Sequence, residues 1–562
     1  MLKQTERPQV LAGALVGVLL TAPLIAIFYL ANQAARLPFV PFDLLDWTAR
    51  ALPGAVITFG IDLIVSIIAA FNLGETSSAA KTAEHVLAII GFLLAGGIAG
   101  AVLFAVLRAR DSQHNSLPGL LLGLSLGILA LSISASVNTT MTADPFLRDV
   151  WIVGAFLVWG FALNRIYADL KGIAETSVVP STPPAAGAQG AEPRTFTSPL
   201  DTMARVEVEQ LNRRQFMIRL GGATAVITVA GAGLGALIAS GCTEPVQSLA
   251  WSDNNALPNA DAALQPAPGT RPEFTKVEDH YRIDINALPP VLREEDWRLE
   301  ISGLVRNPLV LTLDDLRNNY EPMHQFITLS CISNPVGGDL ISTQRWTGVS
   351  LQQILREIGT MEGANYLNIT SADGFYESLP RTMIVADERI MLTYAWDDLP
   401  LPPEHGFPLR IYIPDLYGMK QPKWIIRIEL SDTAEEGYWV RRGWDEIARV
   451  KTTSVIDTVA VDSLVQEGDT TLVPIGGIAY AGARGIRKVE VRVDDGEWQE
   501  AQLREPISDL TWVIWRYDWP FQAGEHTFYV RCVDGKNQPQ IEDYRDTRPS
   551  GATGIHIRRA TL

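Results

Sequence analysis

Apolar residues crowd the first 170 positions of the chain, whereas most of the charge lies after residue 270. A helix needs about 20 mainly apolar residues to cross a bilayer. Segments 10–31, 86–107, 118–137, 149–168 and 220–241 satisfy that requirement and are read as spans. Lys3, Arg7, Arg108, Arg110, Arg165, Lys171, Arg213, Arg214 and Arg219 flank them. With five alternating spans and the N-terminus inside, all these cations stay cytoplasmic, and everything after 242 reaches the outer face. A further apolar stretch, 53–72, contains Asp62. Counting it as a span would put the N-terminus outside, so a re-entrant or interfacial element is predicted. Asp62 there is either an interfacial carboxylate or part of a proton or quinone path.

The remainder divides by pattern. After a transmembrane helical domain (1–171), residues 172–211 are rich in Pro, Ala, Gly and Ser and read as a cytoplasmic linker. Asn212-Arg213-Arg214-Gln215-Phe216-Met217 precedes the last apolar run, and 212–242 resembles a twin-arginine signal and anchor. The alternative is two positive-inside arginines before an ordinary span. Ala239-Ser240-Gly241-Cys242 approaches a lipidation box without its usual leading leucine, so a buried thiol is the competing reading of Cys242. Residues 243–273 read as a second linker. From 274 to 454, short alternating stretches such as Trp297-Arg298-Leu299-Glu300-Ile301 mix with a helical pattern at 350–358, which predicts an α+β domain. Over 455–562, alternation at 489–493 and 526–531 and the Asp494-Asp495-Gly496 turn predict an immunoglobulin-like sandwich. Trp512, Trp515 and Trp519 read as its core aromatics.

Charge and cysteine count narrow the chemistry. A net charge of -17 leaves no basic face for nucleic acid. Three cysteines (Cys242, Cys331, Cys532) exclude a disulfide framework, a four-thiolate zinc site and a cysteine-ligated iron–sulfur cluster. Seven scattered histidines leave little for an all-protein metal cage, and no Cys-x-x-Cys-His haem motif occurs. Any metal chemistry must therefore use a cofactor that brings most of its own ligands.

The most informative run is Phe326-Ile327-Thr328-Leu329-Ser330-Cys331-Ile332-Ser333-Asn334-Pro335-Val336-Gly337-Gly338-Asp339. An apolar strand runs into one cysteine, then into a loop where adjacent glycines permit close approach of a ligand. Thiolate is a soft donor suited to a transition metal. From the residues alone, Cys331 is a metal ligand, a nucleophile or an inert buried thiol.

The run Thr328-Leu329-Ser330-Cys331, then Asn334 and Arg345-Trp346-Thr347-Gly348-Val349, resembles the molybdenum-ligand region of the sulfite oxidase family. Trp297-Arg298-Leu299 with Ile301-Ser302-Gly303-Leu304-Val305, His405-Gly406-Phe407-Pro408-Leu409-Arg410 with Lys423 and Trp424, and Tyr438-Trp439-Val440-Arg441-Arg442-Gly443-Trp444 follow the family's order. The resemblance covers about 274–560. It implies a molybdopterin-binding catalytic domain and a C-terminal dimerisation-type domain that suits a homodimer. It makes Cys331 the thiolate on molybdenum, and His405, Arg410 and Lys423 ligands of the pterin and its phosphate. Tyr281 and Arg282 fall where the family touches cofactor or substrate, and Thr370 or Ser371 adds a hydrogen bond. Sulfite oxidases of the family carry an arginine shortly after the loop asparagine and a tyrosine near the lip. Here Pro335 and Trp444 stand in those places, with Arg282, Arg441 or Arg442 left to compensate.

The resulting expectation is a membrane-anchored molybdopterin oxidoreductase, its catalytic part outside the cytoplasm. It would perform two-electron oxygen-atom transfer on a small oxyanion or S- or N-oxide, with a quinone or an external redox protein as electron partner and no haem. Cys331, Arg282 and Trp444 are its catalytic residues. The alternatives are a metal-free, membrane-tethered binding or structural protein and, weaker for want of an adjacent histidine, a thiol hydrolase.

Overall fold

The computed structural model describes residues 8–71, 74–110, 115–138, 144–176, 199–241 and 250–562. They form two compact units, one of residues 1–51 with 83–245 and one of residues 52–82 with 246–562.

The first unit is helical: α1 (Val10–Ala35), α2 (Val40–Ala51), most of α4 (Thr76–Arg110), α5 (Leu117–Val137), α6 (Pro145–Thr176) and α7 (Pro199–Gly241). Among the described residues, five helices are long and apolar enough to cross a membrane, and they contain the five segments expected as spans. α1 packs on α7 and α5 on α6. Small residues allow this, since a Cβ at Gly231 of α7 would lie 3.2 Å from the Ala26 Cβ of α1 and one at Gly123 of α5 2.4 Å from the Phe156 carbonyl oxygen of α6. In lipid such close backbone approach replaces the hydrophobic drive available in water. The expected 172–211 linker is shorter than its composition suggested, because α6 continues to Thr176 and α7 begins at Pro199. Residues 177–198 and Cys242 lie outside the described residues, as does the side chain of Arg213 from the twin-arginine motif.

The second unit contains α3 (Gly54–Phe71) and the head of α4, together with the charged half of the chain. Helix α3 covers the stretch for which a re-entrant or interfacial element is expected, and Phe59 and Phe71 are 70% and 72% exposed on it. Asp62's side chain lies outside the described residues. Residues 250–273 carry only one short helix, α8 (Trp251–Asn254), but they are not loose. The Trp251 and Ser252 amides bond to Asp397, Arg504 reaches the carbonyls of Asn259, Ala262 and Leu264, and Arg271 pairs with Asp457 at 2.7 Å. Their backbone groups are satisfied from neighbouring elements, so composition alone misjudged them.

In the catalytic part, β1 (Leu299–Gly303) and β2 (Leu309–Leu311) precede α9 (Leu313–Asn318). Then come β3 (Pro322–Ser330), β4 (Ile341–Ser350), α10 (Leu351–Ile358), β5 (Tyr366–Ser371) and β6 (Tyr376–Pro380). Helix α11 (Arg381–Ala386), β7 (Met391–Trp396), β8 (Leu399–Pro400), β9 (Arg410–Tyr412) and β10 (Ile425–Ser431) complete it. One sheet has the order β2-β1-β10-β5-β6 and the other β3-β4-β7-β8, with β9 on β7. Only β1 and β10 pair in parallel within them. The two sheets share a core, in which Ile301, Ile369 and Ile428 meet Val349, Leu392 and Ile411. The amphipathic spacing of Leu351, Ile354, Leu355 and Ile358 places α10 on it.

The last part holds β11 (Thr453–Val459), β12 (Val465–Glu467), β13 (Thr470–Tyr480), β14 (Ile486–Val493) and β15 (Gln499–Glu500). It continues through β16 (Gln502–Leu503), β17 (Val513–Pro520), β18 (Glu525–Asp534) and β19 (His556–Thr561). The sheets run β11-β13-β17-β16 and β15-β14-β18-β19. Val473 and Trp515 of the first pack with Val489, Phe528 and Cys532 of the second. Trp515 and Trp519 are buried in this core as expected, whereas Trp512 is buried in a separate cluster with Ile332 and Tyr417.

Candidate active site

Cys331 follows directly on β3, and the loop after it is tightly tied. The Cys331 amide donates to Leu340 O at 3.0 Å, and Asn334 Oδ1 accepts the Leu340 amide at 3.0 Å. A Cβ at Gly338 would stand 2.3 Å from Asn334 Oδ1, so only glycine lets the loop close. The thiol is buried, with Sγ 3.1 Å from Ser333 Oγ. Burial pushes its pKa up, against hydrogen bonds from Ser333 and Ile332. A metal cation reverses that preference by stabilising thiolate directly. Tyr281 shares the thiol's apolar cluster. Its hydroxyl is held protonated by burial and by the nearby Cys331, and it is a standing hydrogen-bond donor.

A cationic cluster adjoins Tyr281. Arg410, at the head of β9, lies 4.7 Å from the Trp346 ring and 5.2 Å from that of Trp396. Its Nη1 donates to His405 O at 3.0 Å. His405 and His280 stand edge to face at 5.2 Å, and His280 stacks on Trp396 at 4.3 Å. Lys423 reaches Glu404 O at 3.0 Å and the Trp424 ring at 4.3 Å. Arg282 Nε donates to Asp284 Oδ2 at 2.7 Å, and Lys423 Nζ lies 3.6 Å from the same oxygen. Ser371 ends β5 opposite Ile425, two residues beyond Lys423.

Electrostatics show what this cluster lacks. Burial brings Arg410 down to about 10. Burial, reinforced by Arg410 and Arg282, brings Lys423 down to about 8 despite Asp284. Burial acts against ionisation of Asp284, yet Lys81, Lys423 and Arg282 hold its carboxyl far below the usual range. Four cations (Lys81, Arg282, Arg410, Lys423) thus face two buried carboxylates, Asp284 and Asp373. His280 Nε2, Arg282 Nη2, Arg410 Nε and Ser371 Oγ are buried without a partner among the described residues. Unfilled donors around surplus positive charge are costly unless an anionic, multi-acceptor ligand binds there. A phosphorylated pterin meets that need, so the residues fit the cofactor that the sequence suggests.

At the lip the three candidate arginines have partners of their own. Arg441 stacks 5.0 Å from the Tyr376 ring, and Arg442 lies 3.6 Å from that of Tyr438 and bonds its carbonyl. Arg441 Nε also lies 3.9 Å from Glu436 Oε2, and Arg282 gives its Nε to Asp284 while its Nη2 has no partner among the described residues. Arg548, which sequence reasoning missed, lies 4.9 Å from the Trp444 ring. Its Nε and Nη2, like Trp444 Nε1, are buried without a partner among the described residues. Trp444 packs against the cluster containing Ile332 and Tyr417. The structure therefore gathers Cys331, Tyr281, Arg282, Ser371, His405, Arg410 and Lys423 in one unit and adds His280, Asp284, Lys81 and Arg548. Of these four, His280 and Asp284 flank the Tyr281-Arg282 pair and were within reach of the motif. Lys81 and Arg548 carry no local signal.

These features define a molybdopterin-type oxidoreductase domain followed by a β-rich domain. Residues 286–439 match the oxidoreductase molybdopterin binding domain family, and residues 444–548 match the Mo-co oxidoreductase dimerisation domain family. Mitochondrial sulfite oxidase from Rattus norvegicus is 30% identical over 49% of this chain and 58% of its own length. NADH nitrate reductase 1 from Phaseolus vulgaris is 31% identical over 37% of this chain and 30% of its own. The sulfane dehydrogenase SoxCD from Paracoccus pantotrophus, a solved structure, has a TM-score of 0.45 at 21% identity, covering 53% of this chain and 86% of that one. The chain thus spans about a third of the matched nitrate reductases and under three fifths of the sulfite oxidases. The matched pair of domains supports a molybdenum-dependent oxidoreductase of the sulfite oxidase family.

Proposed function

We propose that this chain is a membrane-anchored molybdenum–pterin enzyme that moves an oxygen atom to or from a small oxyanion or S- or N-oxide outside the cytoplasm. One observation carries the reading: the Cys331 thiol stands at the start of a tight strand-end loop, in the same unit as a cationic cluster whose buried donors lack acceptors among the described residues. Bound there, the cofactor would supply the two-electron redox change and the oxygen acceptor or donor. Cys331 would hold the metal, and Arg282, Ser371, His405, Arg410 and Lys423, with His280, would hold the pterin and its phosphate. Tyr281, kept protonated by burial, would offer its hydroxyl as a donor beside the thiol. Trp444 and Arg548 offer N–H donors to an oxyanion, but an indole cannot relay a proton as a phenol can. For that reason, and because Pro335 replaces an arginine, sulfite is a poor candidate although sulfite oxidases are among the relatives.

The five apolar helices support an anchor, and the flanking cations support an outward catalytic part, with 212–242 as a twin-arginine signal. A quinone or an external redox protein would exchange electrons. The paired sheets of the C-terminal part support an immunoglobulin-like sandwich, and the matched dimerisation family supports a homodimer. A metal-free binding protein would gain nothing from the buried unfilled donors.

The test is elemental analysis of wild type and Cys331→Ser, followed by turnover of sulfite, nitrate and S- and N-oxides with an artificial electron donor or acceptor. Wild type should carry molybdenum, Cys331→Ser should lose activity, and sulfite oxidation should be weak or absent. A folded wild type with neither molybdenum nor pterin would end the proposal.

A further inference from the structure

We propose that Lys81, near the head of α4, is a positioning residue of the cofactor site and sets how much molybdenum–pterin the catalytic unit retains. This rests on the cofactor reading above. Lys81 is far in sequence from the rest of the site, yet it is only 9% exposed, and residues 52–82 belong to the catalytic unit.

The ammonium converges on one short stretch of chain. Nζ lies 2.8 Å from Asp284 Oδ1 and donates to Asn286 O at 3.0 Å and to Asp284 O at 3.4 Å. Asp284 is thereby divided: Lys81 pairs with Oδ1, while Oδ2 accepts Arg282 Nε at 2.7 Å and faces Lys423 at 3.6 Å. A second contact holds the head of α4, where the Thr76 amide donates to Asp339 Oδ2 at 2.8 Å, in the loop that follows Cys331.

The consequence is electrostatic. With Lys81 in place, one Asp284 oxygen is engaged, and the Arg282 Nη2 donor stays unpaired and available to an anion. Without Lys81, the site loses a positive charge, and the freed oxygen competes with the ligand phosphate for Arg282 and Lys423. Lys81 touches no ligand itself; it acts through Asp284.

The full-length chain is compared as wild type, Lys81→Met and Lys81→Arg, measuring molybdenum per chain and the fluorescent pterin released on oxidation. Melting of the same three proteins, made in cells unable to synthesise the cofactor, isolates any purely structural effect. Lys81→Met should lose molybdenum and pterin together by about tenfold, the scale of one charge-assisted contact. Lys81→Arg should restore most of the loading, and the cofactor-free proteins should melt alike, because Arg282 and Lys423 still hold the Asp284 carboxylate when Lys81 is gone. Wild-type loading of Lys81→Met overturns the inference alone, as does a matching loss of stability in its cofactor-free form. A wild type without molybdenum overturns the functional reading and this one with it.

Discussion

His280 shows how burial sets a residue's chemistry. Packed against Trp396 and His405, it is pulled down to about 3, chiefly by burial. It therefore stays neutral in the folded chain at pH values where an unfolded imidazole, near 6.5, binds a proton. The unfolded state binds more protons in that window, so stability should fall as pH drops from about 6.5 toward 3. His280→Gln should make the fall shallower in melting curves between about pH 7 and 4; parallel curves would contradict the argument. The buried pair Lys420–Glu377, 2.7 Å apart, makes a second test. Lys420→Met strands a buried carboxylate and should cost about 3 kcal/mol in denaturant unfolding. Cys331 was legible from its motif, and His280 lay beside one, but the burial that keeps its ring neutral was not legible, because a ring's partners are not written beside it.

Elements were more legible than their ends. The spacing of Leu351, Ile354, Leu355 and Ile358 marks α10, and all four side chains are buried. Ile354→Ala should therefore destabilise the catalytic unit by about 2–5 kcal/mol, read from the unfolding midpoint. Gly348 belongs to the Arg345–Val349 motif, and the structure adds a reason for it. A Cβ there would lie 2.1 Å from Leu392 O, at the register shift between β4 and β7. Composition failed at 199–211 and 250–273 for one reason: it reports local preference, while helix continuation and long-range hydrogen bonds supply what local preference lacks.

Across the whole molecule, the five apolar helices should keep the full chain in the membrane fraction after alkaline extraction; release into the soluble fraction would refute an integral anchor. The chain in detergent should also sediment as a homodimer if its C-terminal part pairs as the matched dimerisation family implies. At this scale the candidate site draws together positions as distant as Lys81, Arg282 and Lys423, each meeting Asp284.

The amino-acid pattern alone determined the five long apolar helices, the strand and helix periods of the charged half, and the candidacy of Cys331, because each depends on residues close together in sequence. Only the tertiary structure decided which cations share a carboxylate, which arginines are already committed, and that Arg548 sits beside Trp444. Those outcomes depend on burial and distance between remote segments, and electrostatic energy follows separation in space.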